Sequence, residues 1–170
     1  MLFLNAGFGA IGAFTSISNN EVQNVVAVNA VHPIYTAKVL IDQMLARNHL
    51  SAIVVTSSGL AHMPMPGCLT YSASKIFADY LAQGLNYELK GKVDVLSWQC
   101  GEVSTKMLRK PAGGRVVTTE VAVKGMLRDL GKESLTYGCT THARTMCLFM
   151  LPRSLISRFM FSTLQKGHAR

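Results

Sequence analysis

One hexapeptide, Ser51 to Thr56 (SAIVVT), limits what this 170-residue chain can fold into more than any other stretch. It is too short for a helix, it is β-branched at four successive positions, and its apolar residues fall on both faces of an extended chain. Strands buried on both faces belong to parallel sheets, which need covering helices and crossover connections. The flanking sequence supplies both. Met1 to Asn5 (MLFLN) and Val93 to Trp98 (VDVLSW) read as two further strands. Between them run residues at helical spacing: Val22, Val25, Val26, Val28, Ile34, Val39, Leu40 and Leu45 after Asn19-Asn20, then Ile76, Phe77, Tyr80, Leu81 and Leu85 within Tyr71 to Lys90. A kink is expected at His32-Pro33, and Gly91 closes the second helix. Beyond the basic stretch Lys106 to Arg115, Thr118 to Leu130 reads as helix, Leu135 to Tyr137 as a short strand, and the remainder as helix. The alternation predicts an α/β fold with a doubly wound parallel sheet. Such sheets take ligands beyond the carboxyl ends of their strands, here after Asn5, Thr56 and Trp98.

Composition narrows the function classes. With 49% hydrophobic and 15% charged residues, the chain can build a core, and intrinsic disorder is excluded. No repeat or linker divides it, so residues 1–145 read as one domain and 146–170 as an amphipathic helical tail. In that tail Leu148, Phe149, Leu151, Leu155, Ile156, Phe159 and Phe161 accompany Arg153 and Arg158. The pattern suits a helix docked on the domain or a basic face in peripheral contact with a membrane; it is too interrupted to span one. The uncharged opening lacks the basic start of a signal peptide. A net charge of +8 favours anionic partners such as nucleotide phosphates, acyl-CoA or acidic lipid. Nucleic acid is not expected, because the basic residues are scattered and no binding motif accompanies them. Cys68, Cys100, Cys139 and Cys147 have no metal-ligand spacing, so free thiols and no metal site are expected.

Gly7-Phe8-Gly9-Ala10-Ile11-Gly12 spells G-x-G-x-x-G, yet the dinucleotide fingerprint needs its glycines to open a helix directly and an acidic residue about 20 positions on. Ala13 to Asn20 is turn material and no acid stands at that distance. The glycines read as a turn supporting a cofactor held elsewhere.

Tyr71 and Lys75 are four residues apart at a helix start, so they share one face. An ammonium beside a phenol favours the phenolate, and the pair is expected to exchange a proton with a carbonyl or alcohol. Ser58, just beyond the Ser51 to Thr56 strand, is placed to hydrogen-bond the same reacting oxygen. Asn29 puts an amide into a mostly apolar helix, where it needs a buried partner.

Five ordered motifs now stand together: Asn5-Ala6-Gly7, Asn29, Ser57-Ser58-Gly59, Tyr71-Ser72-Ala73-Ser74-Lys75, and Cys100-Gly101-Glu102-Val103-Ser104-Thr105. With them the sequence resembles the short-chain dehydrogenase/reductase family. Met63-Pro64-Met65-Pro66, Arg109-Lys110-Pro111, Tyr137-Gly138 and His142-Ala143 look most like its very-long-chain 3-oxoacyl-CoA reductase and 17-beta-hydroxysteroid dehydrogenase members. The resemblance implies a Rossmann-like fold and an NADP(H)-dependent reduction of a ketone on an apolar substrate, acyl-CoA or steroid, with NAD as the other cofactor. It implies Tyr71 as general acid, Lys75 as the residue that lowers its pKa and holds the nicotinamide ribose, Ser58 as the group orienting the carbonyl, and Asn29 as the holder of a water feeding protons toward Lys75. Asn5, Ala6 and Gly7 would line the adenine-ribose side, and Val103 and Thr105 the nicotinamide carboxamide. It also implies association with the endoplasmic reticulum membrane, with a cytoplasmic location otherwise, and leaves a homodimer open.

Two departures from the pattern stand out. Cys100 occupies the family's usual proline position and is expected to pack rather than react. The strand at Met1 stands where the family's fourth strand belongs, so the chain is expected to be only the C-terminal part of the fold, from the fourth strand onward: a partial sequence or a truncated product, lacking the first βαβ unit with its glycine-rich phosphate turn and inactive alone without it. A second reading follows, a non-catalytic relative acting by association with a partner or a membrane. His62 reads as a solvated loop residue. Met63 and Met65 are candidates for an apolar acyl pocket, and Arg109, Lys110 and Arg115 for contacts to CoA phosphates or lipid.

Overall fold

The computed structural model of the chain describes residues 1–147 together with 149, 154, 156 and 157. The amphipathic reading of the tail therefore falls largely outside the described residues. Four parallel strands form one sheet in sequence order: β1 (Leu2–Leu4), β2 (Ser51–Thr56), β3 (Val93–Trp98) and β4 (Leu135–Thr136). Ile53 is paired with Leu2 on one side and Val95 on the other, and Ser97 with Leu135.

Alternation along the strands sends side chains to opposite faces, and each face has its own core. Leu4, Ile53, Val55, Val93 and Val95 pack against α2 (His32–Leu45) through Ala37 and Met44, and against α3 (Leu69–Glu88) through Ala78 and Ala82. Val54, Leu96 and Trp98 pack on the other face against Ala122 and Met126 of α4 (Thr119–Asp129). The fully buried strand anticipated at SAIVVT is thus sandwiched between helical layers. Phe3 belongs to the second face by its pairing with Val54, but it is 48% exposed.

The connections explain where the site falls. Residues after β1 run irregularly, with one 3-10 turn at Phe14–Ser16, until Ser18 caps α1 (Asn19–Val26) in a reciprocal capping box with Glu21. The glycines at 7, 9 and 12 therefore open no helix. The break expected at His32-Pro33 takes a different form: Ala27–Val31 is a π-helical turn that joins α1 to α2. Proline lacks the amide hydrogen an α-helical turn needs, and the widened turn accommodates the loss. α3 begins at Leu69, two residues earlier than its sequence pattern indicates, so Tyr71 sits within the first turn rather than at the start. Thr118 caps α4, and α5 (Thr140–Cys147) follows β4.

Candidate active site

The loops after β1, β2 and β3 converge on the first two turns of α3. Ser57 ties two of them together, its amide donating to the Trp98 carbonyl at 2.9 Å and its hydroxyl to the Lys75 carbonyl at 2.8 Å. Ser58 is extended and buried, and its hydroxyl caps the 3-10 turn Gly59–His62 by accepting from the Leu60 amide at 3.2 Å. The same hydroxyl lies close enough to the Tyr71 phenol to hold its pKa down by hydrogen bonding.

Lys75 is 3% exposed, and its ammonium donates to the Thr56 carbonyl at 2.8 Å while standing 5.6 Å from the centre of the Tyr71 ring. The electrostatic consequence differs from the sequence expectation. Burial, with Cys100 adding to it and the Ser58 hydrogen bond opposing it, pushes Tyr71 up to about 12 rather than down. Burial likewise lowers the Lys75 pKa, since removing an ammonium from water disfavours its charged form.

Asn29 is 2% exposed on the π-helical turn and fully engaged. Its Oδ1 accepts from the Phe8 amide at 2.8 Å, and its Nδ2 donates to the Phe8 carbonyl at 2.8 Å and to Ser74 Oγ at 2.9 Å. Both amide hydrogens are used, so the side chain fastens the glycine loop to α3 and has no N–H free for relaying protons. That loop passes directly over the site. A Cβ on Gly7 would lie 3.4 Å from Lys75 Nζ and 3.8 Å from Asn29 Oδ1, and one on Gly9 would lie 3.7 Å from Tyr71 Cδ2. Asn5 braces the neighbouring strand end by accepting from Thr56 Oγ1 at 2.9 Å.

Tyr71, Lys75, Ser58, Asn29 and Gly7 are therefore brought together. Val103 and Thr105 are placed differently: Val103 bridges Val117 and packs on the second core, and exposed Thr105 accepts from the Leu108 amide at 3.3 Å. No hydrogen bond joins either to the Tyr71 group among the described residues. Met63 and Met65 are both buried within the fold. An apolar cleft of about 380 Å³ lies beside them, lined by Phe14, Pro64, Pro66 and Leu69 among others. His62 is half-buried rather than solvated, with Nε2 3.2 Å from the Tyr137 hydroxyl.

Three contributors had no role assigned by sequence. Thr56 and Ser57 hold Lys75 and its helix through main-chain oxygen and hydroxyl contacts, and Ser74 links Asn29 to the Tyr71 carbonyl. Ser74 stands inside the Tyr71 to Lys75 motif, and that adjacency was the available signal. Cys100 packs as expected, its thiol 3.9 Å from the Ser57 carbonyl and pushed up by burial, so it stays protonated. Among the described residues no cluster of His, Cys, Asp and Glu could hold a metal ion.

The cofactor that such a site implies can be tested against the residues present. A buried ammonium ordinarily has an anionic partner, yet Lys75 has one carbonyl and no carboxylate among its hydrogen bonds. Two of its three N–H donors are left for a ligand. Hydroxyls of a ribose fit that demand.

Comparison with known proteins agrees with this geometry. The family model described as short chain dehydrogenase matches residues 1–114. The chain is 31% identical over 156 residues to the very-long-chain 3-oxoacyl-CoA reductase of Anas platyrhynchos, covering 89% of this chain and 49% of that protein. It is 29% identical over 130 residues to the 17-beta-hydroxysteroid dehydrogenase type 3 of Danio rerio, covering 75% of this chain and 42% of the relative. The chain thus spans about half the length, or less, of these curated relatives. A short chain dehydrogenase from Burkholderia cenocepacia, solved in complex with NADP, superposes with a TM-score of 0.77 at 21% identity, over 94% of this chain and 70% of that one; it shares the fold. With its parallel sheet, its strand-end site and a family match over most of its length, the chain belongs to the short-chain dehydrogenase family.

Proposed function

We propose that this chain carries the proton-donating half of an NADP(H)-dependent oxidoreductase site that reduces a ketone on an apolar substrate, a 3-oxoacyl-CoA or a steroid. The observation carrying this reading is the half-buried Tyr71 grouped with the buried Lys75 and Ser58 at the carboxyl ends of β2 and β3. A phenol held protonated across the physiological range suits donation to a carbonyl oxygen as that oxygen gains electrons. Ser58 donates a hydrogen bond to the same oxygen and steadies the charge developing there. Lys75 holds the ribose hydroxyls with its free donors, and the cofactor when bound supplies the hydride. Asn29 locks Phe8, and with it the Gly7–Gly9 backbone, against α3. Asn5, Ala6 and Gly7 line the ribose side, and Val103 and Thr105 reach the carboxamide from the loop after β3.

NADP is the cofactor of this reading, with NAD as the other, and the neighbour solved in complex with NADP supports it. Pairing of two copies through the exposed faces of α2 and α3 belongs to it as well. Peripheral contact with the endoplasmic reticulum membrane rests on the sequence resemblance; no helix among the described residues is long and apolar enough to cross a membrane.

Calorimetric titration of the chain with NADPH tests the proposal. Saturable binding, weakened at least tenfold by Lys75→Met, is expected; absence of binding at millimolar NADPH would leave the second reading, a non-catalytic chain that acts by association. The exposed Phe3 on edge strand β1 favours that alternative, because an apolar edge invites a neighbour.

A further inference from the structure

The short helix α5 touches the site from behind, and it does so with one face. His142 and Met146 are four residues apart, so their side chains stack along the same side of the helix. Each meets a glycine at the root of a strand-end loop. A Cβ on Gly101 would lie 2.7 Å from His142 Cδ2, and a Cβ on Gly59 would overlap Met146 Sδ and Cε. Gly59 follows Ser58 directly, and Gly101 opens the loop that leads to Val103 and Thr105.

His142 is completely buried, and its ring spans two carbonyls: Nδ1 lies 3.2 Å from the Tyr137 oxygen and Nε2 3.1 Å from the Glu102 oxygen. A neutral ring has one N–H and donates to one of these carbonyls; its packing places it between the end of β4 and the loop after β3. The Glu102 carbonyl also accepts from the Val117 amide at 3.0 Å, and the Glu102 carboxylate pairs with Lys110 and Arg115. That loop is thus gathered around Glu102. The two loops are also joined directly, since the Gly59 amide donates to the Cys100 carbonyl at 3.1 Å.

We infer that α5 is a positioning clamp: His142 fixes the loop after β3 and Met146 the loop after β2, so that the Ser58 hydroxyl keeps its place beside the Tyr71 phenol. Both residues act through others and touch neither reacting atom. The inference rests on the proposed role of Ser58, but the contacts themselves can be tested without turnover.

Met146→Ala empties the seat against Gly59 and leaves the glycine in place, and Met146→Leu refills it. Hydrogen exchange followed by mass spectrometry on the full chain is expected to rise at least tenfold in Met146→Ala over residues 57–63 and over residues 100–105. Exchange in β2 and β3 should stay unchanged, and Met146→Leu should remain within about twofold of the original chain. Faster exchange confined to residues 57–63, or spread evenly over the sheet, would overturn the clamp. Should Met146→Ala not fold, His142→Gln carries the test with the same two loops as readout and the same contrary outcomes. In an NADPH-dependent assay of the chain joined to an N-terminal cofactor-binding unit, Met146→Ala is expected to lower kcat at least tenfold with the KM for NADPH unaltered, and Met146→Leu to keep it. A kcat within twofold of the original in Met146→Ala, in a chain whose turnover Tyr71→Phe abolishes, would refute the clamp alone. Absence of turnover in the joined chain without substitutions would refute the proposed function and leave the exchange result to decide the clamp.

Discussion

Tyr71 and Lys75 show how much chemistry a spacing can and cannot convey. Four residues on a helix fix a shared face, and the structure brings the two together there. Depth of burial depends on the loops packed above them, and burial reversed the expected shift. With Tyr71 raised to about 12, its proton is held more tightly folded than unfolded. The resulting stabilisation is present below the unfolded value of about 10 and is lost as pH climbs from there through about 12. Spectrophotometric titration should therefore show one phenol ionising near pH 12 in the unaltered chain and missing from Tyr71→Phe; a missing phenol that ionises near 10 would contradict the burial argument. Asn29 permits a second test at this scale. Asn29→Ala strands the Phe8 amide and carbonyl and the Ser74 hydroxyl, and urea unfolding should show a loss of about 2–3 kcal/mol. A lone amide in an apolar helix announced a buried partner; nothing in the sequence named Phe8, because that contact depends on how the loop after β1 folds back.

Strands and long helices were legible because each rests on a local period, and the boundaries of β2 and β3 matched their apolar runs residue for residue. Joins were not. Pro33 signalled a broken helix; that the break takes the form of a π-helical turn carrying Asn29 toward Phe8 and Ser74 was not legible. Contacts that seat α4 were equally silent. A Cβ on Gly125 would overlap the Gly138 carbonyl oxygen, and Gly138 itself has a φ of +76°. Backbone cannot yield as a flexible side chain does, so Gly125→Ala should lower stability by about 3 kcal/mol or more in denaturant unfolding. A loss under about 0.5 kcal/mol would show that α4 sits further from the β4–α5 turn.

Among the described residues, α2 and α3 each leave large apolar side chains exposed. Tyr35 and Val39 are 67% and 70% exposed, and Tyr80 and Tyr87 are 68% and 79% exposed. Faces of this kind on a folded domain mark interaction surfaces. Sedimentation velocity is expected to show a dimer or larger species, converted to monomer by Val39→Asp/Tyr80→Asp; an unaltered chain that sediments as a monomer at tens of micromolar would contradict this use of the two helices. The apolar pattern of both helices was visible in the sequence, but which residues stay uncovered emerged only once the sheet had claimed Ala37, Met44, Ala78 and Ala82.

If the Tyr71 phenol delivers the proton when a ketone is reduced, NADPH consumption with a 3-oxoacyl-CoA or steroid ketone, by the chain joined to an N-terminal cofactor-binding unit, tests that role most directly. Tyr71→Phe leaves the ring and its packing in place, so kcat should fall at least 10²-fold while NADPH binding persists. Equal rates with and without the hydroxyl would contradict the assignment.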